Sequence, residues 1–267
     1  MYTKYQLALK YIHYYLTASN GKGHGTHAPF VYNFISTVLN KSNDTGSYSS
    51  IEQLRNSLLS NTQTLQIQDY GAGSTTTTNN TNARTVSSIA KNAAKPAKLA
   101  QLLYRIVQHY TCSTIIELGT SLGLTTCYLA IANRQGRVIT CEGSNEIAAV
   151  AKHNFERLFI TNITLITGEF NTSYTHALAQ ISKLDMLYID GNHRYQPTIN
   201  YFEKALPQLH TQSIVIFDDI HWSSEMEQAW AYIKAHPAVS ETIDLFFIGI
   251  VFLRKEQLAK QHFTIRY

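Results

Sequence analysis

The sequence has few cysteines, no strong excess of charge and no long apolar run, and each shortage excludes a class of protein. Three cysteines among 267 residues are an odd number without the spacing of metal ligands, which argues against a disulfide scaffold or a zinc site. No apolar run is long enough to cross a membrane, and residues 1–17 lack the continuous apolar core of a signal peptide. We therefore expect a cytoplasmic protein without a membrane partner. The thiols expected to be reduced are Cys112, Cys127 and Cys141.

The net charge indicates no particular partner. The formal charge is +4 and the pI is near 8.8, and the positive residues are scattered along the chain. A mild, scattered positive charge permits an RNA partner but does not predict one.

The length of the chain suits one large domain or one domain with an extension. Residues 1–110 read as a mainly helical extension, and residues 111–267 as the main domain. The helices expected in the extension cover 3–17, 29–39, 84–93 and 97–110. A polar run rich in threonine and asparagine predicts a mobile surface loop over 74–82.

The first helix carries apolar residues at regular spacing. Tyr5, Leu9, Ile12 and Leu16 recur at the helical period over residues 3–17. Such a helix packs on the main domain, with a lid or a dimer face as the alternative, so a homodimer is one expectation.

Strands and helices alternate regularly through residues 111–267, which predicts a parallel sheet covered on both faces. The predicted strands are 114–118, 137–141, 163–167, 185–189, 213–217, 241–247 and 249–254. The predicted helices are 124–133, 144–158, 172–181, 197–206 and 224–235. The last two strands have Gly249 between them and form a hairpin, and Ser224 with Glu227 predicts a capping box. The expected α/β fold is a seven-stranded, mostly parallel sheet with an antiparallel last strand.

The stretch from Thr114 to Thr126 joins an apolar strand, a glycine turn and the start of a helix. Gly119 and Gly123 allow a sharp turn and a close approach of a ligand to the backbone. The spacing E-x-G-x-x-x-G lacks the three glycines of dinucleotide-binding turns. The stretch resembles motif I of class I S-adenosylmethionine-dependent methyltransferases, which implies their Rossmann-like fold and their cofactor.

Acidic and small residues follow the first three predicted strands, where ligands bind in open α/β sheets. The carboxylate of Glu117 suits the positive sulfonium and the amino-acid end of the cofactor. Glu142, at a strand end about twenty positions past the glycine turn, can accept hydrogen bonds from both ribose hydroxyls. The resemblance implies that Glu169 faces the adenine. The full set of expected cofactor contacts is Glu117, Gly119, Thr120, Ser121, Gly123, Glu142, Gly143, Gly168, Glu169, Phe170 and Asp190.

Three carboxylates follow the fourth and fifth predicted strands: Asp190, Asp218 and Asp219. Clustered carboxylates repel each other unless a cation or a proton lies among them, and oxygen ligands suit Mg²⁺ or a similar divalent cation. This half of the chain resembles the metal-dependent catechol and caffeoyl-coenzyme A O-methyltransferases. Those enzymes have a lysine three positions after the first aspartate, where this chain has His193, and Asp-Asn where it has Asp218-Asp219. The segment Asp-Gly-Asn-His also resembles small bacterial methyltransferases with an Asp-Gly-x-His motif.

The resemblance implies methyl transfer to the hydroxyl of a small molecule. A divalent cation on the three aspartates lowers the pKa of that hydroxyl, and His193 removes its proton. His221 is a reserve base, although a hydrogen-bonded orienting role is preferred for it. The aromatic residues expected to line the acceptor pocket are Phe170, Tyr195 and Trp222. Three alternatives stay open: an RNA methyltransferase, a nucleotide-dependent oxidoreductase and an inactive binding module.

Overall fold

The computed structural model describes residues 1–23, 28–41, 48–67, 83–255 and 259–267. The loop predicted over 74–82 lies outside these residues. The α-helices are α1 Lys4–Thr17, α2 Pro29–Phe34, α3 Ser49–Leu59, α4 Val86–Asn92, α5 Ala97–Tyr110, α6 Leu124–Ala132, α7 Asn145–Arg157, α8 Phe170–Ala179, α9 Tyr195–Ala205 and α10 Ser224–Ala235. A π-helical turn, Ile35–Leu39, continues α2. The strands are β1 Thr64–Gln66, β2 Ala83–Thr85, β3 Thr114–Leu118, β4 Arg137–Glu142, β5 Ile163–Thr167, β6 Leu184–Ile189, β7 Leu209–Asp218, β8 Glu241–Asp244, β9 Ile248–Phe252 and β10 Gln261–Thr264.

The described chain groups into two compact units, one from residues 1–41 and 183–267 and the other from residues 42–182. The division at residue 110 that the sequence suggested stays a prediction. In the second unit, β4 pairs in parallel with both β3 and β5, and β1 and β2 form a separate antiparallel ribbon. Leu118 is in register with Cys141, so the glycine turn after β3 lies beside the end of β4.

The first unit has five strands in the order β10-β8-β9-β7-β6. β6 and β7 are parallel, and β9 is antiparallel to both of its neighbours. The prediction of mostly parallel strands with one antiparallel strand is confirmed. Besides the ribbon, the described residues hold eight strands instead of the predicted seven, because β10 pairs in parallel with β8.

The hairpin predicted between the last two strands is confirmed as β8 and β9, but its turn differs. Gly249 lies inside β9, in register with Asp244, and the turn is made by residues 245–247 with Phe246 at φ +70°. A Cβ on Gly249 would lie 2.7 Å from the ring of Trp230. The glycine therefore makes room for the indole of α10, which is a packing role and not a turn role.

The start of α10 also differs from the prediction. Ser223 is the N-cap residue, and its side chain accepts a hydrogen bond from the amide of Met226. The predicted capping box on Ser224 and Glu227 is therefore wrong. The N-cap lies one residue earlier, the third helical residue is Met226, and Glu227 makes other contacts.

The first helix, α1, buries one side chain, Tyr14, whose hydroxyl donates to the carbonyl of Ile265 over 2.5 Å. The side chains of Tyr5, Leu9, Ile12 and Leu16 are exposed. No helix in the described part of the chain has the length and apolar character needed to span a membrane.

Candidate active site

The turn after β3 takes backbone conformations that favour glycine. Gly119 has φ +105° and Gly123 has φ +81°, and the amides of Gly119 and Thr120 both donate to the carbonyl of Cys141. A Cβ on Gly123 would overlap the ring of Phe155, with Cζ of that ring 2.8 Å away. The turn therefore depends on glycine for its conformation and for its close approach to α7.

A buried hydrogen-bond chain holds this turn. The Glu117 side chain is fully buried, and its Oε2 accepts from the hydroxyls of Thr126, at 2.5 Å, and Thr140, at 2.7 Å. The hydroxyls of Thr140 and Thr120 are 2.6 Å apart. Glu117 thus connects β3, β4, α6 and the turn, and direct contact of its carboxylate with a cofactor stays a prediction.

Glu142 ends β4 with its carboxylate on two backbone amides. Oε2 accepts from the amide of Ser121 at 2.8 Å, and Oε1 accepts from the amide of Ser144 at 3.0 Å. The carbonyl of Glu142 accepts from the amide of Gly168. The side chain is half-buried, so a carboxylate is fixed between the glycine turn and the start of α7 while part of it still faces solvent.

The segment after β5 is open. Gly168 has φ +132°, and a Cβ placed on it would meet no heavy atom within 4 Å. Glu169 is exposed and accepts a hydrogen bond from the Asn171 side chain, and Phe170 is half-buried. The space beside the Cα atom of Gly168 is therefore open.

A second group of candidate residues follows β6 and β7. Because Ile189 is in register with Phe217, the next residues, Asp190 and Asp218, follow paired positions. Possible ligand atoms of Asp190, His193 and Asp218 all lie within 4.8 Å of one another. We name these three residues the carboxylate–imidazole cluster.

The members of the cluster differ in burial. Asp218 is 1% exposed, whereas Asp190 and His193 are half-buried. His193 Nε2 is 3.8 Å from Asp190 Oδ1, and the Tyr188 hydroxyl donates to Asp190 Oδ2 at 2.9 Å. The chemistry available is a pair of carboxylates with an imidazole, which can orient a hydroxyl, take its proton or hold a cation.

Asp219, the third predicted metal ligand, is not a member of this cluster. Its backbone is left-handed, with φ +52°, and its amide donates to the carbonyl of Phe247. A metal role for Asp219 stays a prediction, as does the acceptor-pocket role of Tyr195 and Trp222, which are half-buried.

His221 is held between two carboxylates. Its Nε2 is 2.8 Å from Asp244 Oδ2, and its Nδ1 is 3.1 Å from Glu227 Oε1. Burial lowers the pKa of His221, but the hydrogen bonds and charges of Asp244 and Glu227 outweigh it and raise the pKa above its ordinary value. With both ring nitrogens engaged, His221 suits the orienting role better than that of a base.

The three cysteines are buried and free, as predicted. Burial raises the pKa of Cys127, and it raises that of Cys141 to about 12. Both thiols are therefore protonated at neutral pH and serve as small apolar side chains.

Comparison with known proteins gives two similarities at the level of sequence. Residues 116–220 match the family model described as a methyltransferase domain. The chain is 30% identical over 126 residues to a catechol O-methyltransferase of Niastella koreensis, covering 46% of this chain and 55% of that protein. The chain thus spans about half the length of this curated relative.

Two solved structures share the fold. An O-methyltransferase from Bacillus cereus in complex with SAH is 21% identical with a TM-score of 0.53, over 84% of this chain and 97% of that chain. An O-methyltransferase from Streptomyces achromogenes in complex with SAM is 16% identical with a TM-score of 0.54, over 84% and 96%. The predicted resemblance to class I methyltransferases and their Rossmann-like fold is confirmed.

Proposed function

We propose that this protein is an S-adenosylmethionine-dependent O-methyltransferase that acts on a small hydroxylated molecule. The observation that carries the proposal is the position of Glu142, a partly exposed carboxylate fixed beside the glycine turn. The methyltransferase-domain match over residues 116–220 and the O-methyltransferase relatives support the same conclusion.

The residues after β3, β4 and β5 fit this cofactor. They offer a glycine turn, a carboxylate for ribose hydroxyls and an open glycine segment at Gly168, all within residues 117–170. When bound, S-adenosylmethionine supplies an activated methyl group on a positive sulfur. We assign Glu142 to the ribose, Gly119 and Gly123 to close backbone approach, and Glu169 with Phe170 to the adenine.

The carboxylate–imidazole cluster suits the acceptor. Asp190 and Asp218 can orient a hydroxyl, and His193 lies where Asp190 can orient its ring. Two carboxylates and one imidazole also form a donor set for a divalent cation, which would lower the pKa of a bound hydroxyl. His193 is thus either the base that was predicted from the sequence or the third ligand of a cation.

Cofactor binding is tested with S-adenosylhomocysteine and calorimetry. We expect Glu142→Ala to weaken binding roughly ten- to hundredfold, because losing a charged acceptor of hydrogen bonds costs about 1.5–3 kcal/mol. Glu142→Gln, which keeps an oxygen acceptor, should lose less. Glu156→Ala, a change to an exposed glutamate of α7, is the matched control and should bind like the wild type.

Two results of this titration would count against the proposal. Equal affinity in the wild type and Glu142→Ala would remove Glu142 from the site. A wild type that does not bind S-adenosylhomocysteine would contradict the proposed function. Thermal unfolding of each variant shows whether a loss of affinity reflects a loss of folded protein.

We also propose that α1 forms a homodimer contact with a second copy of the chain. Tyr5, Leu9, Ile12 and Leu16 are exposed and alternate by four and three residues, which is the spacing of a helix-pair seam. The positions that flank this face, Gln6, Ala8 and His13, hold no lysine, arginine, aspartate or glutamate, so two copies of the helix bring no such side chains of like charge together there.

This contact is checked by sedimentation at micromolar concentration. The wild type should sediment as a dimer. The variant Leu9→Glu should raise the dissociation constant of the dimer about tenfold or more, because burying an unpaired charge is costly. Leu59→Glu, the same change at an exposed leucine of α3, should leave the dimer intact. A monomeric wild type would contradict the proposal.

A further inference from the structure

We propose that the N-terminal segment positions the loop of residues 219–223, with Tyr2 and Lys10 as positioning residues of the acceptor site. This loop begins directly after Asp218 and ends at the N-cap of α10. The inference rests on the proposed function only in assigning Asp218 to the acceptor site. We call the contacts that hold the loop the N-terminal clamp: Tyr2, Lys10, His221, Glu227 and Asp244.

The loop is held first through its backbone. The amide of Tyr2 donates to the carbonyl of Trp222 at 3.1 Å. The amide of Trp222 donates to the carbonyl of Asp219, and the amide of Asp219 donates to the carbonyl of Phe247. The N-terminal segment and the turn between β8 and β9 thus fix the loop from two directions.

Side chains then connect the same segment to α10. The Tyr2 hydroxyl donates to Glu227 Oε2 at 2.7 Å, and Lys10 Nζ lies 2.9 Å from Glu227 Oε1 and 3.1 Å from Oε2. The Lys10 ammonium also lies over the Tyr2 ring, 4.5 Å from its centroid. Glu227 is therefore held by a tyrosine and a lysine that precede it by more than 200 residues.

Glu227 contacts the loop through His221, so the residues that hold Glu227 also hold the loop. The imidazole bridges Glu227 and Asp244, and it stacks on the ring of Phe246 at 5.2 Å between centroids. Phe246 in turn packs on Tyr11 of α1, with centroids 5.1 Å apart. Exposed ion pairs contribute little by themselves, but here one carboxylate receives three donors that belong to a connected network.

The position of the loop affects the acceptor site because Asp218 directly precedes the loop in the chain. Small displacements of groups next to a reacting centre lower rates strongly, since the productive geometry is narrow. Loosening the clamp should therefore alter acceptor use and leave the cofactor cradle, which lies in residues 117–170, unaffected. On this view the first helix is a fixed support of the acceptor site and not a moving lid.

The test is hydrogen–deuterium exchange of the full chain, followed by mass spectrometry of the peptide that covers residues 219–223. The variant Tyr2→Phe/Lys10→Met removes two of the three donors to Glu227 and leaves His221 in place. We expect its exchange in this peptide to rise about tenfold through local opening. The matched control is Tyr15→Phe/Lys4→Met, which makes the same chemical changes at exposed positions of α1. Lys10→Arg keeps a cation and should keep most of the protection.

Further readouts separate positioning from general stability. Exchange in β6 and β7 should stay at the wild-type level, and the affinity for S-adenosylhomocysteine should not change. In methyl transfer to catechol, used as the probe acceptor, KM or kcat should change in Tyr2→Phe/Lys10→Met and not in the control.

The proposal would be contradicted if the peptide of residues 219–223 exchanged equally fast in the test and control variants. It would also be contradicted if the exchange rate rose uniformly over the strands. Faster exchange in this peptide with KM and kcat unchanged would show that the loop does not position the acceptor site. If wild-type protein binds no S-adenosylhomocysteine, the proposed function fails, whereas the exchange comparison still decides whether the segment holds the loop.

Discussion

Asp218→Asn is expected to remove nearly all methyl transfer to a small hydroxylated acceptor, with catechol as the trial compound, while the protein stays folded. Asp218 is 1% exposed at the end of β7, in the cluster with Asp190 and His193. The substitution keeps the size and one oxygen but removes the negative charge. If that charge orients an acceptor or holds a cation, its loss should cost about 3–4 kcal/mol in the transition state, or roughly 10²–10³-fold in kcat/KM.

The control for this variant is another aspartate of the same unit. Asp185 lies near the start of β6, away from the carboxyl end, and pairs with His210 at 3.0 Å. Asp185→Asn should retain activity, and both variants should unfold at similar temperatures. If Asp218→Asn transfers methyl groups at the wild-type rate, the cluster is not the acceptor site.

Removal of divalent cations by a chelator is the next step, because it distinguishes His193 as a base from His193 as a ligand of a cation. If a cation is held, exhaustive chelation should stop methyl transfer while S-adenosylhomocysteine binding remains, and added Mn²⁺ or Mg²⁺ should restore the rate. Full activity after chelation would contradict a metal requirement and would leave His193 as a base. In that case His193→Ala should recover part of its rate as hydroxide concentration rises.

A pair of glycine substitutions is expected to separate folding from cofactor binding. Gly123→Ala should destabilise the protein by about 2–4 kcal/mol, because a left-handed backbone and overlap with a buried ring act together. Gly123 has φ +81°, and its new methyl group would overlap the Phe155 ring. Denaturant unfolding measures this loss.

Gly168→Ala should behave differently. Its φ of +132° imposes backbone strain, but the new methyl group meets no protein atom within 4 Å. If the cofactor lies against this segment, S-adenosylhomocysteine binding should weaken by about tenfold or more, since the methyl group would occupy ligand space. A Gly168→Ala protein that binds normally would place the cofactor elsewhere, and a Gly123→Ala protein of wild-type stability would contradict the overlap.

The helices and strands whose predicted bounds agree with the structure are those with a clear pattern of residue types within the element itself. The strands 114–118 and 163–167 and the helices 97–110 and 224–235 have the predicted bounds. Continuous apolar runs and helical periodicity depend on near neighbours, so they can be read without knowing the fold. β10 was missed because its four residues, Gln-His-Phe-Thr, have little apolar content, and their pairing with β8 depends on a partner twenty residues away.

The corrections at Ser224 and Gly249 have a common cause. A serine near the start of α10 could cap the helix from either of two positions, and a glycine near residue 249 could lie in a turn or in a strand. Contacts with distant residues determined which alternative formed. Ser223 caps α10, which leaves Glu227 available for Tyr2, Lys10 and His221. Gly249 fits a turn as well as a strand, but the Trp230 ring needs the space above the strand.

The sequence by itself determined the glycine turn, the acidic strand ends and the alternation of strands and helices, because these are local patterns of residue type. Only the tertiary structure decided which side chains meet. It grouped His193 with Asp190 and Asp218 without Asp219, and it made Glu117 the acceptor of two threonine hydroxyls. It also brought Tyr2 to a carboxylate 225 residues away. Such contacts depend on strand register and helix packing, to which residues far apart in the chain contribute, so no local pattern records them.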